Sequence, residues 1–245
     1  MSRASEELGA AQQEPPSKRA RRGQSSRAVP GRDGVPETSP SVNLTQPLPG
    51  HNEGNSRYRY AMVCSSNINR SLEAHVVLKN SDFHVSSFGC GSQVRLPGPR
   101  GARCFDFGTP YASIVETLEQ ESHSFYSRIG VLNLAKRAAA TKPAPERWQD
   151  LPTARLGQTN VIICFETRLY EIVVNDVLQR TPEDFSPVHI ICMDTKDTTR
   201  DAVQQGKDVL GLCRQIEEVD LTQEMPVESM ASANKGKIQY LMTHV

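Results

Sequence analysis

Two stretches of this chain are apolar at nearly every position, and they constrain its architecture more than any other feature: Asn160-Val161-Ile162-Ile163-Cys164-Phe165 and Val188 to Met193. A strand with one wet face alternates apolar and polar residues. Runs without that alternation are strands buried on both faces, as in a parallel sheet held between two layers of helices. Each run is followed by helical spacing, Glu166 to Leu178 after the first and Thr198 to Val219 after the second. The same order occurs earlier. Tyr58, Tyr60, Met62 and Val63 form a short strand pattern ending at Cys64. A polar loop follows, then a helix in which Leu72, His75, Val76 and Lys79 recur, with Asn69 and Ser71 as capping candidates. Phe83 to Phe88 reads as another strand, closed by Gly89 and Gly91. The expected fold is α/β, with three layers and a mostly parallel sheet.

The remaining segments are added to that frame. Arg95-Leu96-Pro97-Gly98-Pro99-Arg100-Gly101 reads as an irregular surface loop because of its Pro and Gly content. Tyr111 to Glu121 and Ile129 to Ala140 have helical spacing. Pro143, Pro145 and Gly157 mark an irregular stretch, and Ile238 to Thr243 a last short strand. Residues 1–56 are rich in Pro, Gly, Ser, Gln and charge without a repeating apolar face, and read as a disordered tail before a domain at 57–245. The tail's basic run, Lys18-Arg19-Ala20-Arg21-Arg22, is either a nuclear import signal or a solvated polar segment. With 28 basic and 28 acidic residues the chain has no net charge, and the concentrated basic run lies in the tail, so direct nucleic-acid binding is not expected. No apolar run is long enough to span a membrane. The six cysteines have neither a Cys-x-x-Cys pair nor a framework spacing. Neither a metal site nor disulfides are expected, and a reducing, intracellular setting fits.

In sheets of this kind ligands bind beyond the carboxyl ends of the strands. The loop in that position after the first strand is Cys64-Ser65-Ser66-Asn67-Ile68-Asn69-Arg70-Ser71. A Cys followed six positions on by an Arg, between a strand and a helix, lets backbone N–H groups converge on one phosphate. The planar fork of Arg70 would make two parallel hydrogen bonds to phosphate oxygens. The helix N-terminus and Arg70 favour the Cys64 thiolate as a nucleophile. Ser71 is placed to bond the sulfur and Asn67 to brace the loop through its backbone. A bare Cys-x5-Arg arises readily by chance; here the flanking strand, small polar residues and helix agree with it. Seryl or tyrosyl phosphate could then be attacked in line; the alkoxide leaving group of a phosphoserine is a poor one, and that chemistry needs a general acid. Asp194 and Asp197 after the last apolar strand are the candidates, with Asp197 as the acid and Asp194 supporting the loop; a carboxylate there can equally cap the next helix. His75 and Trp148 read as packing residues.

These motifs together resemble the Ssu (suppressor of sua) class of RNA polymerase II C-terminal-domain phosphatases. The resemblance runs from Arg57 onward. It rests on Val63-Cys64-Ser65-Ser66-Asn67 with Asn69-Arg70-Ser71, on Glu73-Ala74-His75, Ser87-Phe88-Gly89, Leu96-Pro97-Gly98-Pro99, Lys142-Pro143, Pro145-Glu146-Arg147 and Pro187-Val188-His189. It implies a flavodoxin-like core, similar to low-molecular-weight tyrosine phosphatases, and no metal or cofactor. The implied substrate is the polymerase heptad phosphorylated at its fifth-position serine, with the next proline cis. Cys64, Arg70, Asp194 and Asp197 would be catalytic, and Arg95 and Pro97 would line the substrate loop. A symplekin-like scaffold of the polyadenylation machinery is the implied partner. Three other readings stay open at this point: a tyrosine phosphatase, disfavoured by Asn69 where such enzymes have a second Cys; an arsenate reductase relay, for which Cys90 and Cys104 are poorly spaced; and a phosphopeptide-binding scaffold without turnover.

Overall fold

The computed structural model describes residues 54–182, 185–227 and 238–245. The basic run and nearly all of the expected tail lie outside the described residues. Among the described residues, five strands form the central sheet in the order β2-β1-β5-β6-β7. They are β1 (Arg59–Cys64), β2 (His84–Gly89), β5 (Val161–Cys164), β6 (Pro187–Met193) and β7 (Ile238–His244). All neighbours are parallel except β6 and β7, which run antiparallel. The apolar runs form strands buried on both faces, as their lack of alternation implies. Tyr60, Met62, Ile163 and Ile191 face one core; Ala61, Val63, Ile162 and Ile190 face the other.

Helices cover both faces. Helix α1 (Arg70–Lys79) and helix α6 (Thr199–Ile216) lie together on one side. Helix α5 (Thr167–Gln179) covers the other, with Leu169, Val173 and Val177 buried beside Trp148 and Leu156. Trp148 opens a short 3-10 turn (Trp148–Asp150) and Leu156 closes the short helix α4 (Thr153–Leu156). Trp148 is a packing residue: it is fully buried, edge-on to Phe88, and its indole N–H donates to Asp176 at 2.8 Å. A hairpin of helices α2 (Tyr111–Arg128) and α3 (Val131–Thr141) forms a third cluster with Ile68 and Leu72. Helix α1 is therefore enclosed on several sides, and seven of its ten residues are buried, among them Glu73 and His75.

Three expectations need correction. The segment Arg95 to Gly101 is not irregular: β3 (Val94–Gly98) and β4 (Gly101–Phe105) pair antiparallel as a separate ribbon. Proline is tolerated because a ribbon this narrow consists of edges, where a missing N–H leaves no ladder partner unpaired. Helix α2 continues past Glu121 to Arg128, with a break in helical geometry at Ser122. Residues 54–56, assigned to the tail, lie against the start of β2, where Asn55 N–H donates to the Asp82 carbonyl and His84 N–H to Ser56 Oγ.

His189, within the Pro187-Val188-His189 motif, is fully buried and ties β6 to its surroundings. Its Nε2 is 2.9 Å from the Leu221 carbonyl, so that nitrogen carries the proton and donates. Nδ1 then accepts from the Tyr240 hydroxyl at 2.8 Å. Burial holds the His189 pKa below its ordinary value, only partly opposed by the Leu221 carbonyl. The unfolded chain therefore binds more protons, and this stabilisation is present above about pH 6.5 and lost as the pH falls. The urea midpoint is expected to fall between about pH 7.5 and about pH 5.5, and less steeply in His189→Gln. Equal slopes in the two proteins would refute this assignment.

Candidate active site

Strand β1 has β2 on one side and β5 on the other, with β1 leading through α1 to β2. Connections diverge to left and right here, which opens a crevice at the carboxyl ends of β1 and β5. Cys64 is the last residue of β1, and the loop 65–69 lies in that position before α1 begins at Arg70. The Cys64 sulfur is 3.0 Å from Ser71 Oγ.

Asn67 shapes the loop. Its φ of +53° is left-handed, a region that Asn enters more readily than most residues because its short polar side chain can bond locally. Its side chain is fully buried. Nδ2 donates to Ser71 Oγ at 3.1 Å, and Oδ1 accepts from the Glu146 N–H at 3.2 Å and from Lys142 Nζ at 3.3 Å. The Tyr111 hydroxyl donates to the Asn67 carbonyl. Asn67 thus braces the loop through Ser71 and the Glu146 backbone rather than through the loop's own backbone. Other loop residues fix the neighbours: the Ser65 carbonyl accepts from Gly91 N–H at 2.9 Å, Ser66 Oγ accepts from Arg95 N–H at 3.1 Å, and Ile68 is buried against α2 and α3.

Arg70 is buried at the carboxyl edge of the sheet. Its Nη1 donates to the carbonyls of Phe165 and Thr195, at 3.1 and 2.9 Å, just beyond β5 and β6. Nη2 donates to Glu166 at 3.2 Å, and Nε lies 3.4 Å from Asp197 without a hydrogen-bond partner. The Asp197 carboxylate is exposed and also accepts from Asn69 Nδ2 at 2.8 Å. Asn69 holds the position before α1 but does not cap it, and Ser71 does not either. Asp194 turns elsewhere: its two oxygens accept from the Thr167 N–H and hydroxyl, each at 2.7 Å, at the start of α5. Neither Asp caps α6, which is capped by Thr198 Oγ1 accepting from Asp201 N–H at 3.1 Å. The structure therefore brings Asn69, Arg70 and Asp197 together and places Asp194 with α5. Arg95 and Pro97 are exposed on β3, joined to the loop through Ser66.

Glu166, Lys142 and Glu146 make site contacts to which sequence reasoning assigned no role. Glu166 follows an apolar strand at the edge where ligands bind, a positional signal available in the sequence. Lys142 and Glu146 reach the loop from the far end of α3, a contact that only tertiary packing creates. Burial pushes the thiols of Cys90 and Cys164 up, and Cys192 up to about 11, which keeps all three protonated near neutrality.

The family model for Ssu72-like proteins matches residues 58–245. The chain belongs to the Ssu72 family. A human relative, the RNA polymerase II C-terminal domain phosphatase SSU72 like protein 3, is 38% identical over 167 residues, covering 67% of this chain and 84% of that protein. The Schizosaccharomyces pombe phosphatase ssu72 is 37% identical over 188 residues, 75% of this chain and 93% of its own. Among solved structures, Drosophila melanogaster Ssu72 with symplekin, bound to a cis peptidomimetic phospho-Ser5 peptide, is similar with a TM-score of 0.72 and 30% identity. It covers 78% of this chain and 100% of its own. The Ssu72 architecture is thus shared, including the mostly parallel sheet.

Close packing of β2's exit against this Ssu72 loop is testable. A Cβ on Gly91 would lie 2.9 Å from the Ser65 carbonyl oxygen, whereas one on Gly211 of α6 would meet nothing within 4 Å. Gly91→Ala is expected to destabilise the fold by about 1–3 kcal/mol. Gly211→Ala is expected to stabilise it by up to about 1 kcal/mol. Urea unfolding of both variants measures this, and a neutral Gly91→Ala would show that the loop gives way freely.

Proposed function

We propose that this protein is a cysteine-dependent serine phosphatase acting on the fifth-position phosphoserine of the RNA polymerase II C-terminal-domain heptad, with the following proline cis. The observation that carries the reading is the Cys64 sulfur bonded to Ser71 at the carboxyl end of β1, with Arg70 and Asp197 at the same sheet edge. The cis phospho-Ser5 ligand of the Drosophila relative supports the substrate class, since a groove shaped for a cis peptide rejects most other phosphopeptides.

In the first step the Cys64 thiolate attacks phosphorus in line, the P–O bond to serine breaks, and Asp197 gives its proton to the departing serine oxygen. Loop N–H groups and Arg70 hold the phosphoryl oxygens. In the second step Asp197, now ionised, takes a proton from water, the water oxygen attacks phosphorus, and the S–P bond breaks to release phosphate and the thiolate. Asp197 is preferred over Asp194 because its carboxylate is exposed and pairs with Arg70, while both Asp194 oxygens are engaged by Thr167. Substrate phosphate would replace Asp197 on Arg70 and free the acid to face the leaving group. Asp194 and Glu166 keep the surrounding segment and Arg70 in place, and Arg95 and Pro97 flank the peptide.

The same proposal includes a symplekin-like scaffold as partner, which the Drosophila complex supports, action in transcription and mRNA 3′-end processing, and nuclear localisation through residues 18–22. Deleting residues 1–53 is expected to abolish nuclear accumulation.

The decisive measurement is phosphate release, with chelator present, from a heptad peptide carrying phosphoserine before proline and from a phosphotyrosine peptide. Wild type is expected to prefer the serine peptide, Cys64→Ser to release nothing, and Asp197→Asn to be slower by roughly 10²–10⁴-fold. Activity retained in Cys64→Ser, or a preference for phosphotyrosine, would overturn the proposal.

A further inference from the structure

Beneath the loop lies a buried ammonium that the two chemical steps do not use. Lys142 follows α3 and its side chain is 1% exposed. Nζ donates to the Ser87 carbonyl at 2.8 Å, to Asn67 Oδ1 at 3.3 Å and to the Glu146 carboxylate. These are three acceptors for three N–H groups; a neutral amine would supply only two donors. Burial lowers the Lys142 pKa and Glu146 opposes that, as its position requires.

The contacts from Lys142 through Asn67 to Ser71 run in one direction. Lysine has no acceptor, and the Glu146 N–H points at the same Asn67 oxygen, so two donors fix that oxygen in place and the amide cannot be reversed. Asn67 Nδ2 must then face Ser71 and donate to its Oγ. The Ser71 oxygen accepts from Asn67 and lies 3.0 Å from the Cys64 sulfur, so its own proton is available to that sulfur. A thiolate carries no proton and can only accept there, so the arrangement suits an ionised sulfur.

We propose that Lys142 is a positioning residue that acts through Asn67 and Ser71 to direct a hydrogen bond onto the Cys64 sulfur and so holds Cys64 as a thiolate. This deepens the phosphatase reading and rests on it for its purpose, though not for its test. Other groups face the same network. Arg155 of α4 stands near Lys142 and pairs with Glu146 at 3.7 Å. Tyr111 of α2 and Cys90 after β2 face Cys64, and burial keeps both neutral. Arg70 is paired with Glu166 and Asp197.

The test is the rate at which iodoacetamide alkylates Cys64 in the full chain, followed by peptide mass spectrometry. At about pH 7, Lys142→Met is expected to slow alkylation about tenfold, while at a pH high enough to ionise every thiol the rates converge. Asn67→Asp is a second variant suited to folding, because Asp tolerates the left-handed backbone and pairs with Lys142. Its carboxylate only accepts, drawing the Ser71 proton away from sulfur, so it is expected to slow alkylation about tenfold as well. In a Ser71→Ala background Lys142→Met should have no further effect, because the effect travels through Ser71. A folded Lys142→Met that reacts like wild type at about pH 7, or one that slows alkylation equally in the Ser71→Ala background, would overturn the proposal. A wild type that releases no phosphate from any phosphopeptide would instead count against the phosphatase reading and leave the alkylation comparison intact.

Discussion

Parallel pairing of β1 between β2 and β5 is the constraint from which the rest of the site follows. Because these strands run the same way, their carboxyl ends share one edge, and Cys64, Phe165 and Met193 end or follow their strands along it. The two carbonyls that hold Arg70 belong to residues just beyond β5 and β6. An antiparallel β5 would carry Phe165 to the opposite edge and leave the guanidinium without that anchor. The buried apolar runs that dictate the sheet thus also dictate where Arg70 is held.

Around the loop, the buried side chains of Asn67 and Ser71 each have defined partners. Asn67 is fully buried yet bonds through both ends of its amide, and the left-handed turn at this residue is held by the Tyr111 hydroxyl from α2. A buried polar group left unmatched costs about 1–3 kcal/mol, so these bonds select one loop shape against alternatives. The helical hairpin α2–α3 contributes Tyr111 and, at its end, Lys142. This makes the hairpin part of the site's support and not merely an outer layer.

The central sheet was legible because burial on both faces removes alternation, a signal written directly in Val161 to Cys164 and Ile190 to Cys192. Cys64, Arg70 and Ser71 were legible because loop position and residue type coincide. The β3–β4 ribbon was not: Pro97, Gly98 and Gly101 read as breakers, and only the buried Val94 and Leu96, alternating with exposed Arg95 and Pro97, betray the pairing. Asp194 and Asp197 are indistinguishable by type and spacing. What separates them is Thr167 at the start of α5 and Asn69 in the loop, both distant in sequence. The contact of Lys142 with Asn67 belongs to the same class, since packing and not chain proximity brings the two together.

The ribbon itself stands outside the central sheet. It is anchored by Val94 and Leu96 and touches the loop through a backbone N–H, that of Arg95, which any residue but proline supplies. The exposed side chains at 95, 97, 100 and 102 are therefore free to diverge without disturbing the strand pairing or the loop beneath. Within one lineage, then, the surface beside Cys64 can be rewritten while the loop and sheet edge below it are inherited unchanged.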